Sequence, residues 1–307
     1  MPTRLILDTD IGTDVDDILA LGEILGSPEL KLEGVTCVYG DVRLRARMVL
    51  KVLQLRGVSG VPVLAGATRP LLGQKPVHWA GHEGKGLLEP EDDALRPGAE
   101  HAPDFIVRMV MDNPGQIHLV GIGPLTNIAQ AFLLEPLLAQ NLAHLTLMGG
   151  VVRSADRLDL PYCEYNIRCD PEAAQIVFNA GAPLTIVPLD VTTLVRIRQA
   201  GVERIKRAGT PYHHAIARQV ELYPHFKEHG FTFTHDPLAV ATLIQPDLVE
   251  LHDLHVDVET GGSFTSGATL ARTPGIDAPA NVQVALEVNS PRFEEFLIER
   301  LSAPLTA

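Results

Sequence analysis

Cysteine is scarce. The 307 residues hold three, Cys37, Cys163 and Cys169, with neither CxxC spacing nor an even count. That excludes a disulfide framework and suits a reducing compartment. Apolar runs of membrane-spanning length are missing. The opening MPTRLILDTD has no leader-type or transit-type stretch, so the expectation is a cytoplasmic protein with no membrane partner. Positive charge is in short supply too. Lys and Arg number 25 against 38 Asp and Glu, a formal net charge of −13, which argues against nucleic acid or an anionic membrane as partner. The one basic cluster is Arg43, Arg45 and Arg47. At alternate positions these splay around a helix, and a solvated face is expected rather than a phosphate clamp. No Ser/Gly-rich linker, charge block or repeat divides the chain. A single unit over 1–307, large enough for a substantial core, is therefore expected.

What the chain does have is alternation. Apolar, strand-like runs at 4–8, 32–38, 62–65, 117–121, 144–148 and 183–189 are separated by helical patterns at 16–26, 42–56, 103–112, 124–139 and 170–180. This rhythm predicts an α/β fold with an open, doubly wound, mostly parallel sheet of Rossmann-like type. After residue 190 the rhythm changes. Helical stretches near 199–207 and 211–223 lead to FTFTHDPLAVATLI, and LHVDVE and VQVALEV alternate in the manner of antiparallel edge strands before a helix at 291–301.

The first strand-to-helix junction, LILDTDIGTDVDDILA, concentrates five aspartates: Asp8, Asp10, Asp14, Asp16 and Asp17. Ligands of open α/β sheets bind at the carboxyl ends of strands. Packed anions raise one another's pKa unless a cation neutralises them. Oxygen donors without Cys or His favour Ca²⁺ or Mg²⁺. An EF-hand loop is excluded, since the twelfth position from Asp8 is Leu19 rather than Glu and Gly12 comes too early. Asp8-Thr9-Asp10 also looks like the nucleophile strand of haloacid-dehalogenase-type phosphatases, but those want Thr or Val where this chain has Gly12. Acids decorating a helix N-terminus would account for one or two carboxylates, not five.

Further polar groups fall at later strand ends: VYGDV with Asp41, GIGPLTN with Thr126, the Met148-Gly-Gly triplet, CEYNIRCDPEAA with Glu164 and Asn166, and His235-Asp236 before Pro237. Each alone is an ordinary cap or turn. Together they put acids, amides and a histidine at one edge of the sheet.

The ordered set DTDIGTDVDDILA, GPLTNIA, MGG, EYNIRCDPEAA and THDPLAVA resembles the motifs of the inosine–uridine-preferring nucleoside hydrolases, over nearly the whole chain. The resemblance implies a Ca²⁺-dependent enzyme that splits the N-glycosidic bond of ribonucleosides and assembles as a homodimer or homotetramer. It implies that Asp10, Asp17, Asp236 and the Thr126 carbonyl hold the metal, and that Asp10 is also general base for water. Asp16 and Asn166 would bond the ribose 2′- and 3′-hydroxyls and Glu164 the 5′-hydroxyl. Met148 and Asp41 would line the substrate pocket, His235 would stand beside the leaving base, and His82, in AGHEGKGLL, would reach the base from a loop. The chain departs from the family pattern at three places. Thr13-Asp14-Val15 lengthens the acidic turn, Asp41 replaces the usual Asn, and ADRLDLPYCEYN lacks an Asn before Glu164. Two other functions stay open on the residues alone. One is a Mg²⁺-dependent phosphatase or phosphotransferase with Asp8 as nucleophile, although no Lys falls in the motif segments. The other is a nucleoside-binding protein without turnover.

Overall fold

The computed structural model describes residues 1–73, 75–153 and 157–305. The last two residues of the expected 1–307 unit lie outside them. The chain runs β1 (Thr3–Thr9), α1 (Asp16–Leu25), β2 (Leu30–Cys37), α2 (Val42–Arg56), β3 (Val63–Ala65), α3 (Ala102–Met111), β4 (Ile117–Gly121), α4 (Thr126–Leu134), α5 (Leu138–Asn141) and β5 (His144–Met148). There follow α6 (Tyr165–Cys169), α7 (Pro171–Phe178), β6 (Leu184–Val187), α8 (Leu189–Thr192), β7 (Arg196–Arg198), α9 (Gln199–Arg207), α10 (Pro211–Leu222) and α11 (Pro224–His229). The chain closes with β8 (Phe231–Phe233), α12 (His235–Ala241), β9 (Val249–Val258), β10 (Thr269–Arg272), β11 (Val282–Val288) and α13 (Ser290–Leu301).

Among the described residues, nine strands form one sheet in the order β10-β9-β11-β6-β5-β4-β1-β2-β3. Pairing is parallel from β3 across to β11 and antiparallel for β11–β9 and β9–β10. The mostly parallel α/β architecture expected from the alternation is therefore present, antiparallel edge included. Both faces of the sheet are covered. Leu19, Val49, Ile216, Leu238 and Phe293 belong to the apolar layer on one side; Phe105, Ile128 and Val177 belong to the other. Strand order reverses at β1, which pairs with β2 on one side and β4 on the other. Crevices of open α/β sheets form at such a switch point.

Local departures from the expected elements have local causes. The helix expected over 124–139 is two helices, because Pro136 drives Glu135 out of helical geometry (φ −133°, ψ 99°). The strand expected over 183–189 stops at Val187, and Pro188 leads straight into α8. A hairpin-like pair, β7 with β8, forms a separate antiparallel sheet between segments some thirty residues apart. Arg45 corrects the expectation of a solvated basic face: it is fully buried, while Arg43 is exposed. Two residues along a helix is a rotation of about 200°, so neighbours at that spacing face opposite ways. No helix among the described residues is long and apolar enough to cross a membrane.

Candidate active site

The acidic turn begins where β1 ends. Asp8 is still within the strand and fully buried, accepting from Thr36 Oγ1 (2.5 Å) and Asn127 Nδ2 (2.7 Å). Burial pushes its carboxyl up to about 7 against the pull of those two bonds. It does not line the cavity above. The chain then turns at Gly12, whose φ of +115° and contact with Met48 leave no room for a side chain. Asp16 and Asp17 occupy the first turn of α1. Helix α12 packs against α1 and brings Asp236, from its own first turn, to the same point. Carboxylate oxygens of Asp16, Asp17 and Asp236 all lie within 4.8 Å of one another.

These groups are dry. Asp10, Asp16, Asp17 and Asp236 are each no more than 4% exposed. Burial, reinforced by mutual repulsion, holds Asp16, Asp17 and Asp236 well above the usual carboxylate range. Asp10 rises to about 6 by burial, opposed by Arg45. The bonds present are few: Thr9 Oγ1 donates to Asp17 Oδ1 (2.5 Å) and Asp236 N to Asp16 Oδ2 (3.2 Å). Closely packed carboxylates with spare lone pairs and only oxygen donors fit a hard divalent cation. The triad can bind a metal ion.

A cavity of about 660 Å³ opens over this cluster. Asp10, Asp14, Asp16, Asp17 and Asp236 line it together with Met148, Glu164, Asn166, His82 and His235. Asn166 Nδ2 is occupied by the carbonyls of Ile122 (3.0 Å) and Met148 (3.2 Å), which leaves its Oδ1 as the free amide atom. Glu164 caps α6 and accepts from the N–H groups of Asn166 (2.7 Å), Ile167 (3.1 Å) and Gly150 (3.1 Å). Burial nonetheless lifts it to about 7. His235 Nδ1 meets Thr192 Oγ1 at 2.7 Å. Burial lowers its pKa to about 4, so the ring is neutral at pH 7.

Residues 5–295 match the family model described as inosine-uridine preferring nucleoside hydrolase. The chain belongs to this family. It is 34% identical over 317 residues to the inosine-uridine preferring nucleoside hydrolase of Leishmania major, with 98% of each chain covered. It is 33% identical over 316 residues to the pyrimidine-specific ribonucleoside hydrolase RihA of Enterobacter sp. (strain 638), again with 98% of each covered. The solved purine-preferring ribonucleoside hydrolase from Gardnerella vaginalis has the same fold, with a TM-score of 0.87 at 31% identity over 97% of this chain and 98% of that one. As a nucleoside hydrolase, the chain is an N-glycosidase acting on ribonucleosides.

Two expected site residues of this nucleoside hydrolase are not at the cavity. Asp41 is exposed and caps α2, accepting from Arg43 N (3.1 Å) and Leu44 N (3.0 Å). It lines a separate depression with Arg43, Arg47 and Asp93. The strand-end position was read correctly, but an N-cap carboxylate is committed to its own helix. Thr126 lies buried in the first turn of α4, its hydroxyl donated to Asp170 Oδ2 (2.6 Å), and is not among the lining residues. Ile122, just past β4, is the residue of that loop which reaches the cavity. Of the segment ADRLDLPYCEYN, Ala155 and Asp156 lie outside the described residues, while Pro161 and Cys163 line the cavity.

Other lining residues carried no motif. Tyr223 and His225 come from the corner between α10 and α11, where Pro224 breaks the helix. Tyr223 donates its hydroxyl to Asp14 Oδ2 (2.8 Å) and meets the His82 ring edge-on at 6.3 Å. A proline inside a helical pattern is the one signal that could have found this corner.

Proposed function

We propose that this nucleoside hydrolase uses Ca²⁺, held by Asp10, Asp17 and Asp236, and that Asp10 takes the proton of the attacking water. The observation that carries the proposal is the convergence of four dry carboxylates, from the end of β1, α1 and α12, on one cavity that Glu164, Asn166, His82 and His235 also line. An all-oxygen donor set with room for a flexible, high coordination number favours Ca²⁺ over Mg²⁺. The backbone carbonyl of Thr126, a residue whose hydroxyl is separately bonded to Asp170, is the fourth oxygen donor of this set. Bound there, the ion would lower the pKa of a coordinated water and fix the vicinal hydroxyls of the sugar.

The chain's own groups supply the rest. Asp10, at the site proposed for the ion, accepts the proton of the water. Asp16 and the free Oδ1 of Asn166 accept from the ribose 2′- and 3′-hydroxyls, and Glu164 faces the 5′-hydroxyl. Met148 packs beneath the sugar. Negative charge around the ring favours the oxocarbenium-like transition state. His235 is neutral, so with the Thr192 hydroxyl donating to Nδ1 it offers Nε2–H to the departing base as a hydrogen bond rather than as an imidazolium proton. His82 and Tyr223 flank the base from the loop side. The assembly is a homodimer or homotetramer working in the cytoplasm.

The phosphatase alternative loses its nucleophile, since Asp8 is sealed within the sheet and bonded to Thr36 and Asn127. A panel of purine and pyrimidine ribonucleosides, scored for free base with and without chelator, tests the proposal. Chelator should abolish release and Ca²⁺ restore it. Tight nucleoside binding with no release would support the binding-protein alternative instead.

A further inference from the structure

Beneath the acidic turn, a single arginine makes four hydrogen bonds. Arg45 is fully buried. Its Nε donates to the Tyr39 carbonyl (2.6 Å), and its Nη1 to the carbonyls of Asp10 and Ile11, the latter at 2.9 Å. Nη2 donates to Thr13 Oγ1 (3.0 Å) and lies 3.7 Å from Asp10 Oδ2. A guanidinium has five N–H donors in a fixed plane, and this one places three of its four hydrogen bonds on the very stretch, Asp10 to Thr13, that carries the lengthened acidic turn.

The open face of the same guanidinium is covered by Trp79, whose ring centroid is 5.1 Å from Arg45 Cζ. Trp79 also packs on Gly40, where a Cβ would come within 2.7 Å of the ring. It belongs to the loop whose His78, Ala80 and His82 line the cavity. That loop touches the turn a second time, through His82 Nε2 and the Thr13 carbonyl (3.0 Å). Thr13 is thus gripped from both sides, by Arg45 at its hydroxyl and by His82 at its carbonyl.

We propose that Arg45 is a positioning residue that, through Trp79, joins the acidic turn to the loop carrying His82, so that carboxylates and loop hold one geometry. This builds on the proposed function, because it takes Asp10 and His82 as parts of one site. A charge alone would serve to offset the carboxylates. The planar fork and the stacked ring serve geometry.

Arg45→Lys keeps the charge and loses the fork, and Trp79→Leu removes the ring while leaving the buried bonds of Arg45 intact. Trp79 is the chain's single tryptophan, so its emission reads the joint directly. Tryptic cleavage after Lys85, in the same loop, reads docking without any substrate. Arg45→Lys should shift Trp79 emission, speed that cleavage about 10-fold, and lower kcat about 100-fold with a smaller change in KM. Trp79→Leu, which alters a partly exposed side chain and should fold even if Arg45→Lys does not, should speed the same cleavage. In the Trp79→Leu/His82→Ala double variant, kcat should fall no further than in His82→Ala alone. Wild-type emission, cleavage and kcat in Arg45→Lys would overturn the proposal. So would unchanged cleavage in Trp79→Leu, or multiplicative losses in the double variant. If the wild-type protein releases no base from any ribonucleoside, the proposed function fails, whereas emission and cleavage still decide the joint.

Discussion

Replacing Asp8 by Asn separates a structural carboxyl from a catalytic one, and its magnitude follows from the burial. Asp8 is fully buried in β1, with Oδ1 bonded to Thr36 and Asn127, and Oδ2 has no partner among the described residues. Its pKa rises from 3.8 to about 7, chiefly by burial. Between those values the folded chain holds a proton that the unfolded chain has lost. Stability from this group is therefore fully present below pH 3.8 and is lost as pH rises through about 7. At about 1.36 kcal/mol per pH unit, the loss between pH 5 and pH 8 is roughly 2.5 kcal/mol.

Asn does not titrate. Any constant cost of the exchange, such as an altered bond to Asn127, is the same at both pH values and cancels. Urea unfolding of both proteins in chelator, at pH 5 and pH 8, gives the difference directly. The variant should gain roughly 2.5 kcal/mol on the wild type over that interval while still releasing base from nucleosides. A stability difference that does not change with pH would refute the buried-proton account. Complete loss of activity would restore Asp8 as a candidate nucleophile.

Other outcomes follow from the same geometry. Asp236→Asn should abolish the rise in Tm that Ca²⁺ gives the wild type, a stabilisation of about 2.7 kcal/mol at a hundredfold excess over Kd; an undiminished rise would place the ion elsewhere. Because burial raises the pKa of Asp17 and Asp236 above the usual carboxylate range, Ca²⁺ affinity measured by calorimetry should increase from pH 6 to pH 8 with release of protons. Asp10→Asn should fold normally and lose on the order of 10²–10⁴ in kcat, and near wild-type turnover would remove it as the base. His235→Ala should damage natural nucleosides far more than p-nitrophenyl riboside, whose leaving group needs no help. Equal losses on both would exclude His235 from leaving-group assistance.

Much of this was legible in the chain because it is local. The apolar period of α1, the acids in its first turn and the alternation of strands and helices are short-range patterns, and they placed Asp16 and Asp17 correctly at the head of a helix. Asp236 could be matched from a motif some two hundred residues away, but only the packing of α12 on α1 makes it a neighbour. Arg45 was misread because its partners are backbone carbonyls, and a sequence does not display which carbonyls a tertiary fold leaves pointing at a side chain. Asp41 was misread for a related reason. Its position after a strand end is real, yet its carboxylate is already bonded to its own helix, away from the cavity. The β7–β8 pair escaped notice because strands of three residues carry no periodicity.

The most direct test is the product balance for one good ribonucleoside substrate in phosphate-free buffer containing Ca²⁺. Free base and free ribose should appear in equal amounts, stop on chelation, and resume when Ca²⁺ is returned. No base at all, or a sugar phosphate formed only when phosphate is supplied, would contradict metal-assisted hydrolysis at the aspartate cluster.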